Sequence, residues 1–336
     1  MSGDKGMSLK HILKKFGIFA LFVWAALSLT FILVHLMPGD PAYILATMYM
    51  QQWDVKFEEA YKMAQDSLAW DPSKPIWIRY LEYFANLLKG DLGESIVYRE
   101  SINKIVAKSI PWTIFIGSIA LFLAYMIGIY LGSYAAWRRG GTSDTSIFSL
   151  GIVLSSFPSF VMAVLVLIFL GVKFRIIPLG GAYSEWISPG FTFEFIGSVL
   201  YHAIGPVIAL SAENIAIYIL GMRNSAVSVI QEDYVNFAVM RGLKNQTISK
   251  KYVRRPAILP LITNLAASVG FLFGGATLAE TIFRYPGIGY QFGTALGMRD
   301  YPLIVGLFTV QILAVLIAMF FIELIYPLVD PRARER

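Results

Sequence analysis

Residues 232–260 read EDYVNFAVMRGLKNQTISKKYVRRPAILP, in a chain that otherwise consists largely of long apolar runs. The stretch opens on two acids, crosses a short apolar patch and turns at Gly242, and five cationic side chains follow before Pro256. Asp233 reads as the N-cap of a short helix over 234–241. Gly242 reads as its C-terminal stop, where a left-handed backbone is needed. So short a helix is marginal alone. Its Tyr234, Val235, Phe237, Ala238, Val239 and Met240 are poorly placed in water, so they are expected against a protein surface or the membrane edge. Asn245 reads as the cap of a second helix through TISKKYVRR, which puts Lys250, Lys251, Arg254 and Arg255 at headgroup level before the next apolar run. A plain basic loop accounts for this half of the stretch and leaves the apolar half unexplained. Docking to a partner accounts for both.

The chain has 336 residues, of which 57% are hydrophobic and 15% charged. The apolar share exceeds the globular norm of roughly 45–50%. Runs near the ~20 residues that span a bilayer as helix predict six spans, at 16–37, 110–136, 145–170, 199–222, 257–283 and 302–327. The first is too long for the roughly 7–15 apolar residues of a secretion signal and ends without a small-x-small cleavage site, so it reads as a retained helix. The expected class is an all-α polytopic membrane protein.

The net charge of +6 follows from orientation. In segments 1–15, 137–144, 223–256 and 328–336, Lys and Arg outnumber acids more than two to one, whereas in the segments between them the signs nearly balance. The positive-inside rule then puts both termini in the cytoplasm. The same asymmetry removes the need for nucleic acid as a partner. With no cysteine there is no disulfide, thiolate metal site or cysteine nucleophile.

An outer segment of about 70 residues separates the first two spans. Within it PIWIRYLEYFANLLKG repeats Ile76, Tyr80, Phe84 and Leu87 at helical spacing, and Trp77, Tyr80 and Tyr83 are types that settle at headgroups. The pattern predicts an amphipathic helix, lying either on the outer membrane surface or on the protein's own outer face. Residues 171–198 form a Gly- and Pro-rich outer loop, and 223–256 form the inner loop. Gly128 with Gly132, and Gly270 with Gly274, have the small-residue spacing that lets helix backbones approach within a bilayer.

Enzyme chemistry has no signature here. The phosphate-cradling GxxxxGK[ST] loop of an ATPase is missing, since GFLFGGA at 270–276 lacks the lysine. His11, His35 and His202 do not cluster at metal-site spacing. Neither GxSxG nor HExxH occurs, and the sequon NQT at 245–247 falls on the cytoplasmic side.

EDYVNFAVMRGL…RRPAILP resembles the EAA-type cytoplasmic loop of ABC importer permeases, in the form found in the first permease subunit of the dipeptide and oligopeptide family. Glu232, Asp233, Tyr234, Phe237, Ala238, Gly242, Leu243 and Pro260 lie in the matching loop, with Leu259 before the proline. Further stretches agree in order: HLMPGDPA at 35–42, LLKGDLGES at 87–95, AETIFRYPGIGYQ at 279–291, RDYPLIVG at 299–306 and the closing VDPRAR. The outer motif places Glu280, Pro286, Gly287 and Gly289. Arg255-Pro256 stands where Arg-Asn is usual, Glu232 does not begin a strict Glu-Ala-Ala triplet, and 43–74 resemble the family only loosely.

The resemblance implies a permease domain over 106–330, with its coupling loop at 223–256, after an N-terminal helix and outer segment over 1–105. It implies half of a pore in the cell's inner membrane, completed by a second permease. A binding protein outside the cytoplasm delivers the solute, and two cytoplasmic ATPases hold ATP and Mg, so this chain itself binds no cofactor. Members carry dipeptides, oligopeptides, nickel chelates or oligosaccharides. In this reading the 234–241 helix enters an ATPase groove, with Ala238 permitting close approach. An ion-gradient transporter is the alternative, with Glu213, Glu280 and Glu323 as candidate relay groups. Glu213, Asn214 and Tyr218, with Ser211, give the fourth span a polar side. Glu213 either bonds to another span or to the second permease, or lines the solute path.

Overall fold

The computed structural model describes residues 9–36, 41–68 and 74–329. In chain order the helices begin with α1 (Leu9–Leu36), α2 (Pro41–Trp53), α3 (Phe57–Leu68), α4 (Ile76–Leu88) and α5 (Ile102–Trp137). α6 (Thr142–Ser155) and α7 (Ser159–Val166) follow, the latter extended by wider π-type turns over Leu167–Lys173. Then come α8 (Phe193–Ile230), α9 (Asp233–Met240), the single turn α10 (Asn245–Thr247) with π-type turns over Ile248–Arg254, and α11 (Arg255–Gly275). α12 (Thr277–Ile282), α13 (Ile288–Met298) and α14 (Tyr301–Val329) complete the described chain.

Helices within α1, α5, α8 and α14 are each long and apolar enough to cross a membrane, and α6 with α7, bent by 97°, is long and apolar enough together to be a broken fifth span or a re-entrant loop. Two expected spans are therefore corrected. The run 145–170 breaks before Pro158, which cannot continue the helix because its ring excludes the preceding residue from helical geometry. The run 257–283 ends at Gly275, and 277–282 form a separate short helix. The loop expected over 223–256 is also shorter, because α8 continues to Ile230.

The chain divides into two compact units. One comprises residues up to Ile110 together with Gln291–Phe320. In it α2 and α3 form a helical hairpin closed by small residues, with Ala42 and Ala46 facing Ala60 and Ala64 beside Tyr49 and Ile96. This region carried no expected element. Asp300, fully buried, caps α14 by accepting from Leu303 N through Oδ1 (3.1 Å). Its Oδ2 accepts from Ser95 Oγ and from Val97 N (3.0 Å). The motifs GDLGES and RDYP thus meet on one carboxylate. α4 turns Tyr80, Tyr83 and Phe84 inward, with Tyr80 and Tyr83 against Phe31 of α1. The part of the amphipathic expectation that had α4 resting on the protein itself is observed for these rings.

The second unit comprises Pro111–Tyr290 and the chain from Phe321. α5 and α8 touch backbone to backbone: a Cβ on Gly128 would overlap Tyr218 Cβ, and one on Gly132 would lie 2.6 Å from Ile219 O. α6 joins the same stretch of α8 through Gly151. The Gly128–Gly132 spacing therefore does what it predicted. Gly270 and Gly274 lie within α11, but what they pack against is outside what is described, as are the side chains of Glu323, His11 and His35.

Below this contact Arg223 of α8 forms a two-point pair with buried Asp144 of α6 (Nε–Oδ1 2.6 Å, Nη2–Oδ2 2.9 Å) and lies over the Phe148 ring. Asp144 also accepts from Gly140 N (3.0 Å), which ties the α5–α6 turn to α8. Removing one partner of such a buried pair costs about 3–5 kcal/mol.

A leucine at Gly132 must push α8 away, whereas Gly197, on the same α8, has nothing within 4 Å of its would-be Cβ. Gly132→Leu is expected to abolish the monodisperse peak in detergent size-exclusion chromatography, and Gly197→Leu to leave it unchanged.

Candidate coupling face and pathway

α9 begins one residue earlier than expected. Glu232, with extended backbone (φ −73°, ψ 143°), is the N-cap and makes no side-chain capping bond, while Asp233 is the first helical residue. The cap position belongs to the last residue whose ψ is still extended, and here that is Glu232. Asp233 retains a favourable charge in the first turn. Asn245 is corrected likewise: Lys244 is the N-cap of α10, again without a side-chain bond. Partial burial, then the Glu232 carboxylate, push the Tyr234 phenol above its ordinary range.

The C-terminal stop is as expected. Gly242 has φ +71°, Gly242 N donates to Val239 O (2.9 Å), and Leu243 N reaches back to Ala238 O (3.4 Å). This pair of bonds is the Schellman closure, and Leu243 packs on the cluster that holds Ala238.

α9 has two faces. Val235 and Ala238 are 3% and 2% exposed, inside a cluster with Met222 and Ala226 of α8, Ile248 and Val253, and Ala257 and Leu261 of α11. Tyr234, Phe237, Val239 and Met240 point outward, with Phe237 61% and Met240 80% exposed. Ala238 therefore permits close approach to this chain's own helices rather than to a partner. Pro260 lies within α11 and is exposed.

Glu213 and Asn214 line a cavity of about 300 Å3 with Gly117, Ser159 and Ser268. Glu213 Oε2 accepts from Ser159 N (3.0 Å), the first amide of α7 after the break. Asn214 Nδ2 donates to Leu210 O. The polar side expected of this helix is divided. Neither Tyr218, buried against Gly128 and Tyr125, nor Ser211, which donates to Val207 O, lines the cavity, although the Tyr218 hydroxyl lies 3.3 Å from Oγ of Ser268, which does.

The outer motif is a second helix start closed by a carboxylate. Glu280, fully buried, accepts through Oε2 from Gly289 N (2.7 Å) and Tyr290 N (3.3 Å), while Ile288 N donates to Thr113 Oγ1 (2.9 Å). Gly287 and Gly289 are required by contact: a Cβ on Gly287 would overlap the Glu280 carboxyl, and one on Gly289 would overlap Thr277 Cα. Pro286 precedes them in a turn where Gly287 N bonds Tyr285 O. Among the described residues no group of three or more His, Cys, Asp or Glu is placed to hold a metal ion.

Residues 128–335 match the family described as binding-protein-dependent transport system inner membrane component. The chain belongs to this family. It is 29% identical over 345 residues to the dipeptide transport system permease protein DppB of Escherichia coli strain K12, covering 98% of this chain and 99% of that one. The protein of the same name from Lactococcus lactis is 28% identical, covering 97% and 99%. A putative peptide permease protein of Brucella ovis is 31% identical, covering 91% and 93%. The chain is thus a multi-pass inner membrane permease.

Sequence reasoning missed Ser159, Thr113 and Asp300, which respectively donate to Glu213, support α13 and cap α14. The proline in SFPSF was the available signal for Ser159, because a broken helix exposes amides that must find acceptors.

A hydrogen bond to a charged group contributes about 1.5–3 kcal/mol. Glu280→Ala is expected to lower the unfolding midpoint in detergent, and so is Gly287→Ala, through collision with the same carboxyl. Because the first change makes room for the second, the double variant is expected to unfold no earlier than Glu280→Ala alone. Additive losses would mean that the two residues act independently.

Proposed function

We propose that the chain forms half of the pore of an ATP-driven importer for peptides or related small solutes. In this reading α1, α5, the bent α6–α7 pair, α8, α11 and α14 are six crossings with both termini in the cytoplasm, and α9 lies on the cytoplasmic side. A second, similar permease completes the pore and an extracytoplasmic binding protein delivers the solute. Two ATPase subunits bind ATP and Mg. The peptide substrate rests on the names of the relatives; the coupling rests on α9.

The observation that carries the proposal is the two-faced α9. Its inner face is locked into α8 and α11 by Val235 and Ala238, and its outer face presents Tyr234, Phe237 and Met240 without cover from the described residues. An exposed aromatic and Met cluster on a firmly anchored helix suits insertion into a groove. A displacement of that helix passes directly to the spans it is packed on. ATP shifts the permease only so far as the ATPases bind its inward-open and outward-open forms differently. The cavity at Glu213 and Asn214 is the candidate solute path, while the Glu213–Ser159 bond holds one wall in shape.

Phe237→Glu is expected to leave the unfolding midpoint unchanged and to abolish co-purification with the ATPases together with uptake. Val235→Asp, which buries an unpaired carboxylate, is expected to lower the midpoint instead. Uptake should stop when ATP hydrolysis is blocked and persist when the proton gradient is collapsed with ATP maintained. The reverse dependence would establish the ion-gradient reading.

A further inference from the structure

We propose that α4 is a membrane-surface anchor whose stripe of Trp77, Leu81 and Leu88 sits at the boundary between headgroups and acyl chains. At 3.6 residues per turn these side chains lie within about 40° of one another around the helix. They are 62%, 61% and 88% exposed, and exposed Ala85 extends the stripe.

The adjoining sector of α4 is already occupied. Tyr80 Oη lies 2.6 Å from Ser28 Oγ, the Tyr80 and Tyr83 rings are 5.3 and 5.5 Å from that of Phe31, and Tyr83 Oη is 2.9 Å from Thr309 Oγ1. A third sector is polar, with exposed Asn86 and with Glu82 paired to Lys74 at 2.7 Å. An ordinary surface helix needs one apolar sector. α4 has two, and the described residues of this chain cover only one of them.

The occupant follows from what α4 is docked upon. Ser28 and Phe31 belong to the apolar helix α1, of whose candidate spanning window only 17% is buried, so most of that helix is left open to lipid by the described residues. Leu29, Ile32 and Leu33, on the same two turns as the docking residues, are exposed. α4 therefore lies beside the end of an apolar helix left open to lipid, and its uncovered stripe adjoins that helix's exposed apolar residues. A tryptophan in the stripe and exposed Lys89 just past the helix end suit the interface, the ring at headgroup depth and the cation at phosphate. Which leaflet is involved follows from the orientation proposed above; the depth of α4 does not.

Because the chain has no cysteine, single cysteines at Trp77, Leu81, Leu88 and Glu82 can each carry a nitroxide. The full-length chain would be purified with its accompanying subunits and reconstituted in phosphatidylethanolamine–phosphatidylglycerol nanodiscs. Power saturation then compares collision with oxygen, which concentrates in lipid, and with a water-soluble nickel chelate. Labels at 77, 81 and 88 are expected to favour oxygen severalfold more than the label at 82. Preference for the chelate at all four sites would place the stripe in water and overturn the proposal. Shielding of 77, 81 and 88 from both reagents would also overturn it, because a protein partner would then cover them.

Discussion

A helix that begins within or beside a membrane exposes amide groups that lipid cannot satisfy, and four buried or half-buried carboxylates supply the acceptors here. Glu213 takes the first amide of α7, Glu280 takes two at the start of α13, and Asp300 caps α14 while pinning the GDLGES loop. Asp144 takes an amide of the α5–α6 turn and pairs with Arg223. A charge at bilayer depth costs about 2.5–3.5 kcal/mol on insertion scales, and each charge-assisted bond returns about 1.5–3. The bonded carboxylates are therefore sustainable where free ones would not be. Their positions coincide with the breaks in the helices. This is the pattern of a shaped scaffold and not of a relay, in which successive acids would face one another.

That scaffold gives α9 something rigid to act on. Gly128, Gly132 and Gly151 bring α5 and α6 onto one stretch of α8, and Arg223 locks the end of that contact nearer α9. α8 runs on without interruption to Ile230, two residues short of the α9 N-cap. Val235 and Ala238 then fix α9 to both α8 and α11. A small helix held this way transmits displacement instead of absorbing it.

What was legible in the sequence was what local chemistry decides. Gly242 was readable because a left-handed residue after a short apolar helix almost demands glycine, and the close approach at Gly128 was readable because small-residue spacing has a direct steric meaning. The cap at Asp233 was misplaced by one because an acid, an acid and an aromatic leave the position of the last extended ψ undetermined. The break at Pro158 was hidden inside a run apolar enough to pass as one span. The division of α9 into inner and outer faces, the burial of Tyr218 and the α2–α3 hairpin depend on neighbours distant in sequence. Alanine, which closes that hairpin, carries too weak a pattern to announce it.

The most direct test of this account is amide hydrogen exchange, followed by mass spectrometry on the purified chain in detergent, in peptides spanning 157–163 and 286–292. In Glu213→Ala the first peptide, and in Glu280→Ala the second, is expected to exchange faster than in the unaltered chain, with peptides elsewhere in α5 and α8 unchanged. Unaltered exchange in both peptides would show that neither carboxylate holds a helix start, and would return Glu213 and Glu280 to the class of functional ionisable groups.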